Sequence, residues 1–332
     1  MPKISILGAG GWGTALAILA ASKGHEVSLW ARSEASADEL GSSRINERHL
    51  PGVVIPPEVQ ITNQLNSVSE AEYLFWTTPS TALATIAGSV SSSITLRENA
   101  VLISCVKGLA HDRLLRMSEI LAAVFPRSPV AVLSGPNHAE EVARFIPSAT
   151  VAGSSSEAVA AHLQQILSTN AFRVYSSTDI AGIELGGALK NIFALAAGIC
   201  DGLGLGDNSK AALVTRSLAE LTRLGTALGG KRETFQGLSG MGDLVVTCFS
   251  RHSRNRRAGE RLSRGESLTR IIESMGTTAE GIPTTQSAWE LAAKAKVETP
   301  IIQAVYSILY ERLPPTQAVN RLLSRDLRPE AD

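Results

Sequence analysis

The order of apolar and glycine-rich segments predicts an α/β doubly wound parallel sheet followed by an all-helical half, with the change near residue 180. Three observations carry that prediction. A glycine cluster stands between a short apolar strand and an alanine-rich helix at the start of the chain. Continuous apolar runs, separated by helical stretches, recur as far as Tyr175. After Asp179 the strand patterns stop and helix follows helix.

Lys3–Gly8 reads as a strand running into Gly8-Ala9-Gly10-Gly11-Trp12-Gly13, Thr14–Lys23 as a helix closed by Gly24, and Glu26–Trp30 as a second strand. Strand, G-x-G-x-x-G, helix and strand within about 30 residues is the context of a Rossmann-type dinucleotide site. Gly8 permits the tight turn, Gly10 lets a pyrophosphate touch backbone, and Gly13 lets helix and strand pack closely. The helix N-terminus offers unpaired N–H groups and the positive end of its dipole to phosphates. Trp30-Ala31-Arg32-Ser33 stands where an NAD-preferring site usually carries an acid. Arg32 and Ser33 suit a 2′-phosphate, which favours NADP(H). Glu34 beside them leaves NAD(H) open, and Arg32 as a plain surface arginine is the other reading. Ile45–Pro57 reads as a loop punctuated by Pro and Gly, folding over the adenosine side through Arg48 or His49.

Tyr73–Thr77, Val101–Val106 and Val130–Ser134 are apolar throughout, as strands buried on both faces are. Ligands in such sheets sit at the carboxyl ends of strands, where Thr78-Pro79-Ser80, Lys107-Gly108 and Ser134–Glu141 follow. Lys107-Gly108 places a cation beside a flexible glycine at that edge. In the turn SGPNHAEE, His138 has no metal partners and is assigned a structural part. Thr150–Gly153 and Phe172–Tyr175 flank a helix at Ser156–Leu167 and extend the sheet.

The helical half opens on Glu184–Asn208, a long helix with Lys190 as its single cation. Gly186, Gly187, Ala188, Ala194, Ala196, Ala197 and Gly198 are too small to fill a core and let another helix or a ligand approach the backbone. A lysine there loses hydration, which lowers its pKa towards neutrality; the alternative is a lysine snorkelling out of an apolar helix. Helices are expected at Ser209–Leu228, Ser253–Arg264, Ser267–Met275, Thr284–Lys296, Pro300–Tyr310 and Thr316–Leu323. The glycine-rich stretch Gly237–Asp243 delivers one carboxylate, with Thr247 a helical turn beyond. Asp243 either caps a helix or serves a site, bonding a substrate hydroxyl or holding Lys190. In Phe249–Arg257, Ser253 is a natural N-cap, so Arg254 and Asn255 fall in a first turn where an anion is favoured. A solvated basic face or an RNA contact would use the same arginines. The chain thus divides into a nucleotide-binding domain, 1–180, and a helical substrate-binding and catalytic domain, 181–332.

Composition narrows the partners. At 332 residues, 44% hydrophobic and 19% charged, the chain can bury two cores. Lys+Arg and Asp+Glu both number 31, so no global field draws it to nucleic acid or an anionic membrane. Cys105, Cys200 and Cys248 form no C-x-x-C pair, which argues against a zinc site or disulfide framework and fits a reducing compartment. MPKISILGAG carries no signal-peptide pattern, and the apolar run Ile192–Cys200 is shorter than the roughly 20 residues that span a bilayer. A cytoplasmic protein that uses no metal and acts on a small molecule is expected.

Taken together, GAGGWGT, SCVKGL, LSGPNHAEE, GGALKNIFALAAGICDGLGLGDNSKAAL and GLSGMGDLVVTC followed by SRNRR resemble the bacterial NAD(P)-dependent glycerol-3-phosphate dehydrogenases. The match runs in order from Ile4 to about Glu280-Gly281. The resemblance implies a Rossmann domain joined to a helical domain like the C-terminal one of 6-phosphogluconate dehydrogenase. It implies reduction of dihydroxyacetone phosphate to sn-glycerol 3-phosphate, feeding glycerophospholipid synthesis. Carried over by motif, Lys190 is the catalytic acid/base, and Lys107 contacts cofactor and substrate. Gly135, Asn137, Asp243, Ser253, Arg254 and Asn255 line the substrate. Gly11, Trp12, Arg32, His49, Ala139, Arg254, Thr278 and Glu280 touch the nucleotide. Helical domains of this kind often dimerise, so a homodimer is a candidate assembly. The rival expectations are a related enzyme acting on a hydroxyacid or another sugar phosphate, and a non-catalytic NADPH sensor.

Overall fold

Short apolar strands alternating with helices build a sheet whose carboxyl edge faces a bundle of helices. The computed structural model describes residues 1–110, 114–275, 279–327 and 329–330. The first half runs β1 (Lys3–Leu7), α1 (Gly11–Ser22), β2 (Glu26–Trp30), α2 (Glu34–Ser43), β3 (Ile45–Asn46), β4 (Leu50–Val54), β5 (Gln60–Thr62), β6 (Tyr73–Trp76), α3 (Ser80–Ser93), β7 (Val101–Ser104) and α4 (Met117–Val124). It continues through β8 (Val130–Ser134), α5 (Ala139–Val142), β9 (Ser148–Ser154), α6 (Glu157–Leu167) and β10 (Phe172–Ser177).

The strand order is β10-β9-β8-β7-β6-β1-β2-β5. The chain goes outward from β1 through β2 to β5, then returns to β1's other side with β6, so the switch point lies between β1 and β6. Ligands of open α/β sheets bind in the crevice there, and the glycine turn after β1 stands over it. The strands β1, β2 and β5 to β8 pair in parallel. β9 and β10 extend the sheet as expected but run the other way, since β9 pairs with β8 antiparallel. The link from β8 to β9 contains only the one-turn α5, so the chain returns without a full helical crossover.

The expected loop at Ile45–Pro57 is instead a β3–β4 hairpin. Leu50, Val53 and Ile55 are buried, and Asn46 Nδ2 donates to the Ala9 carbonyl at 3.0 Å and to Thr14 Oγ1 at 2.8 Å. The hairpin is thereby fastened over the start of α1. Pro51 and Gly52 hid its alternation.

The second half comprises α7 (Ile180–Gly202), α8 (Gly206–Ala227), α9 (Arg232–Phe235), a π-turn at Leu238–Gly242, α10 (Asp243–Phe249), α11 (Arg254–Ser263), α12 (Leu268–Met275), α13 (Gly281–Ala295), α14 (Pro300–Tyr310) and α15 (Pro315–Leu323). α7 starts four residues before the expected Glu184, because Asp179 caps it by accepting from the Gly182 N–H at 2.9 Å. It stops at Gly202, and Gly204, with φ at +67°, turns the chain into α8. Its length and composition would suit a membrane span, yet it is wholly buried inside the fold.

Small residues let α7 serve as the axis. A Cβ on Gly198 would collide with the Arg256 carbonyl of α11, and one on Gly259 with the Leu195 carbonyl of α7. The two helices therefore touch at backbone level. On its other side the buried Glu184 carboxylate takes the Ser118 N–H at 2.9 Å, the Ser118 hydroxyl, and Arg116 Nη1 at 3.2 Å, tying α4 to α7. Gly198→Ala is expected to destabilise the protein by about 3 kcal/mol through this overpacking. Urea denaturation would measure it, and an unchanged midpoint would mean that the helices part freely.

Candidate active site

The turn between β1 and α1 has the form a dinucleotide needs. Gly8 sits at φ +121°, and a Cβ on Gly13 would strike the Gly8 carbonyl and lie 2.6 Å from Thr77 Oγ1. Around Gly10 nothing would meet a Cβ within 4 Å, so its backbone is open to a ligand. α1 begins at Gly11, three residues earlier than expected, which places Gly11, Trp12 and Gly13 in its first turn. Gly11 is covered by the hairpin: a Cβ there would lie 2.7 Å from the His49 carbonyl and 3.6 Å from Ala139 Cβ. Trp12 is half-buried with Nε1 unpaired among the described residues. Arg32 is exposed just beyond β2. Ser33 caps α2, accepting from the Ser36 N–H at 3.2 Å and donating to Ser36 Oγ at 2.8 Å.

Across the crevice two lysines share one carboxylate. Lys190, on α7, is 5% exposed and Asp243, the first residue of α10, is 1% exposed. Lys190 Nζ donates to Asp243 Oδ1 and to Thr247 Oγ1 at 2.7 Å, and Thr247 Oγ1 donates on to the Asp243 carbonyl at 2.6 Å. Lys107, three residues past β7, donates to Asp243 Oδ2 at 2.8 Å, Asn137 Oδ1 at 2.7 Å and the Gly135 carbonyl at 2.8 Å. An ammonium has three hydrogens. Lys107 has committed all of its own, whereas Lys190 has committed two to the described residues. The Asp243 carboxylate binds the lysines, and the N-cap position of α10 falls to Gly242, which decides between its two readings. Burial lowers the Lys190 pKa to about 7, with Lys107's charge acting in the same direction and Asp243 opposing both.

A chain of amides frames this cluster. Asn191 Nδ2 donates to the Lys107 carbonyl at 2.9 Å, Asn255 Nδ2 donates to Asn191 Oδ1 at 2.9 Å, and Asn255 Oδ1 accepts from the Gly281 N–H at 2.9 Å. Asn255, expected among substrate ligands, thus has both amide atoms engaged by protein. Asn191 was missed; its one signal was adjacency to Lys190. Asn137 also donates to Thr150 Oγ1 at 3.1 Å.

Ser253 caps α11 as expected, its hydroxyl accepting from the Arg256 N–H at 3.2 Å. Arg254 follows at the exposed rim, within electrostatic reach of Glu280, Glu140 and His49. Burial first, then the charges of Arg48 and Arg254, lower the His49 pKa. Glu280 does not face the nucleotide crevice freely: its carboxylate accepts the Ser80 N–H at 3.1 Å and the Ser80 hydroxyl at 2.5 Å, at the start of α3. Burial raises its pKa. Gly108 must be glycine beside this bond, since a Cβ would lie 2.7 Å from Ser80 Cβ and 2.8 Å from Glu280 Oε2. Thr278 lies outside the described residues. Among the described residues no group of three His, Cys, Asp or Glu side chains is arranged to hold a metal.

Comparison with known proteins agrees with this geometry. The family model for the NAD-dependent glycerol-3-phosphate dehydrogenase N-terminus matches residues 3–160, and that for its C-terminus matches 179–320. Glycerol-3-phosphate dehydrogenase (NAD(P)+) of Pelodictyon phaeoclathratiforme is 47% identical, covering 99% of this chain and 100% of that one. Its counterpart in Geobacter sulfurreducens is 45% identical over 99% of this chain and 98% of its own. The crystal structure of glycerol-3-phosphate dehydrogenase from Coxiella burnetii superposes with a TM-score of 0.93 at 39% identity, covering 98% of this chain and 99% of that one.

Ionisation of the lysine pair can be read directly. NMR titration of ¹⁵N-labelled lysine side chains should show one resonance changing charge near pH 7, where burial places Lys190. Asp243→Asn removes the shared counter-charge and should move that transition lower. A transition that stays near the ordinary lysine value would contradict the burial account.

Proposed function

The chain belongs to the NAD-dependent glycerol-3-phosphate dehydrogenase family, and from that premise we propose that the Lys190 cluster reduces dihydroxyacetone phosphate to sn-glycerol 3-phosphate with NAD(P)H. The observation that carries this assignment is the buried Lys190, held by Asp243 and Thr247 with two of its hydrogens committed among the described residues, in a chain that also carries a dinucleotide-type glycine turn. Burial lowers its pKa to about 7. The glycine turn suits the cofactor, because Gly10 leaves its backbone open and Gly13 permits the close approach of α1. A bound nicotinamide would supply hydride to the carbonyl carbon.

The remaining chemistry is the chain's own. Lys190 gives its proton to the carbonyl oxygen as negative charge develops there. A pKa near neutrality lets the ammonium serve reduction and the amine serve the reverse oxidation. Asp243 and Thr247 hold Lys190 in place, so its remaining hydrogen has a fixed direction. Lys107 reaches the substrate by exchanging one of its three acceptors, and Gly135 and Asn137 shape the wall beside it. Arg254 and the N-terminal turn of α11 under Ser253 take the phosphate, with Asn255 fixing that turn against Asn191. The nucleotide lies along Gly8, Gly10, Gly11, Trp12, Gly13, His49 and Ala139, and contacts from Glu280 and Thr278 are carried over from the family motif alone. Residues 1–180 then bind nucleotide and 181–332 bind substrate. The product is a precursor for glycerophospholipids, made in the cytoplasm, and a homodimer is the assembly we favour.

The test follows absorbance of the nicotinamide band. NADPH should be oxidised by dihydroxyacetone phosphate but not by unphosphorylated dihydroxyacetone, and Lys190→Ala should abolish turnover while still binding NADPH. Arg254→Ala should raise KM for the triose phosphate about 30-fold, as expected for the loss of a charge-assisted bond. NADPH that binds without being oxidised would overturn the reading.

Arg32 supports a preference for NADP(H), standing exposed at the end of β2 where a 2′-phosphate would lie. Arg32→Ala should weaken NADPH about tenfold more than NADH. Equal losses in fluorescence titrations with the two cofactors would remove the preference.

A further inference from the structure

Ser80 has no part in the chemistry assigned so far, but it controls where an acid beside that chemistry lies. It is the first residue of α3, and it is buried. The Glu280 carboxylate takes both of its donors, the N–H at 3.1 Å and the hydroxyl at 2.5 Å. Pro79, at the N-cap, gives α3 no side-chain cap bond. An acid from the helical half therefore fills that place, at the positive end of the helix. Gly108 packs against the pair and leaves it no slack, since a Cβ there would lie 2.9 Å from Ser80 Oγ.

Glu280 also has a cation in reach. The next residue, Gly281, donates its N–H to Asn255 Oδ1 at 2.9 Å. Asn255 directly follows Arg254, so Glu280-Gly281 and Arg254-Asn255 lie side by side. Of the charges acting on Arg254, that of Glu280 is the largest, ahead of Glu140 and Arg257. A carboxylate so placed rivals any anion that Arg254 binds, because a guanidinium pairs with carboxylate and phosphate through the same fork of N–H groups. Both Glu280 oxygens are turned to Ser80 instead. Burial raises the Glu280 pKa, and against it the two Ser80 bonds count for more than the Arg254 charge. Ser80 is the stronger of the two competing partners.

We propose that Ser80 is a positioning residue that holds Glu280 away from Arg254 and so keeps Arg254 open to the phosphate of the substrate. The inference rests on the proposed part of Arg254 as phosphate ligand. Without the Ser80 hydroxyl, the half-buried Glu280 keeps one of its two donors, and a carboxylate short of partners in such a place is unfavourable. The neighbouring guanidinium is the partner that makes up the loss. The acid then competes with the substrate from within the protein, which raises KM and leaves proton transfer from Lys190 untouched.

The experiment measures kcat and KM for dihydroxyacetone phosphate at saturating NADPH. Ser80→Ala should raise KM about tenfold and leave kcat within about twofold. Ser80→Cys keeps the shape with a weaker donor; it should raise KM less, and it answers the question if Ser80→Ala does not fold. The double variant Ser80→Ala/Glu280→Gln separates restraint from plain packing. A neutral amide cannot form an ion pair with Arg254, so KM should fall back to within about threefold of the wild type. Damage to packing would accumulate instead, leaving the double variant no better than Ser80→Ala. An unchanged KM in both Ser80 variants, or no recovery in the double variant, would overturn the assignment. Arg254→Ala is measured beside them, and a wild-type KM there would overturn the phosphate reading, and this inference with it.

Discussion

A single carboxylate buried between two ammonium groups is the constraint on which the rest of this structure depends. Taking charges out of water costs several kcal/mol each unless partners replace the lost hydration. Asp243 gives one oxygen to Lys190 and the other to Lys107, so removal of Asp243 would strand two ammonium groups. One carboxylate cannot neutralise two ammonium groups. Burial depresses the Lys190 pKa, with the Lys107 charge adding to it and Asp243 opposing both, and the residual positive charge favours an anionic ligand beside the pair. In the reaction we propose, one arrangement thus supplies both a transferable proton and a reason for the site to prefer a phosphorylated substrate.

That arrangement needs backbones brought unusually close. Lys107 hangs from the sheet, Lys190 from α7, and Asp243 from the end of the π-turn before α10. They converge because Gly186 meets the backbone of Ser239, a Cβ there lying 2.5 Å from its carbonyl oxygen, and Gly187 meets Ser134 at the end of β8. Larger side chains at either position would hold α7 away from the turn or from the sheet. The bundle behind α7 repeats the device with Gly198 and Gly259. Small residues here are spent on proximity, and the core volume comes from Leu189, Ile192, Phe193 and Leu195 on the same helix.

Buried polar bonds then fix one half against the other. Glu184 holds Ser118 and Arg116, Glu280 holds Ser80, and Asn191 holds the Lys107 carbonyl. Each crosses from helical half to sheet, and each would leave an unpaired buried group if the halves slid apart. Glu280 and Gly108 add a steric term, since the Lys107 loop passes directly over the Ser80 bond. The lysines keep their separation through these contacts as well as through Asp243.

The chain by itself determined what depends on local order. The strand, glycine turn and helix at residues 3–23, the run of buried strands, the Ser253 cap and the apolar, small-residue character of the Lys190 helix are all written within a few turns of chain, because dihedral preferences and capping bonds act over that range. Only the tertiary structure decided the rest. It chose lysine pairing over helix capping for Asp243, engaged both ends of Asn255, set Glu280 on Ser80, and reversed β9 against β8. Those outcomes join residues as far apart as 80 and 280, and no local pattern encodes which of many polar groups will meet once the backbone has folded.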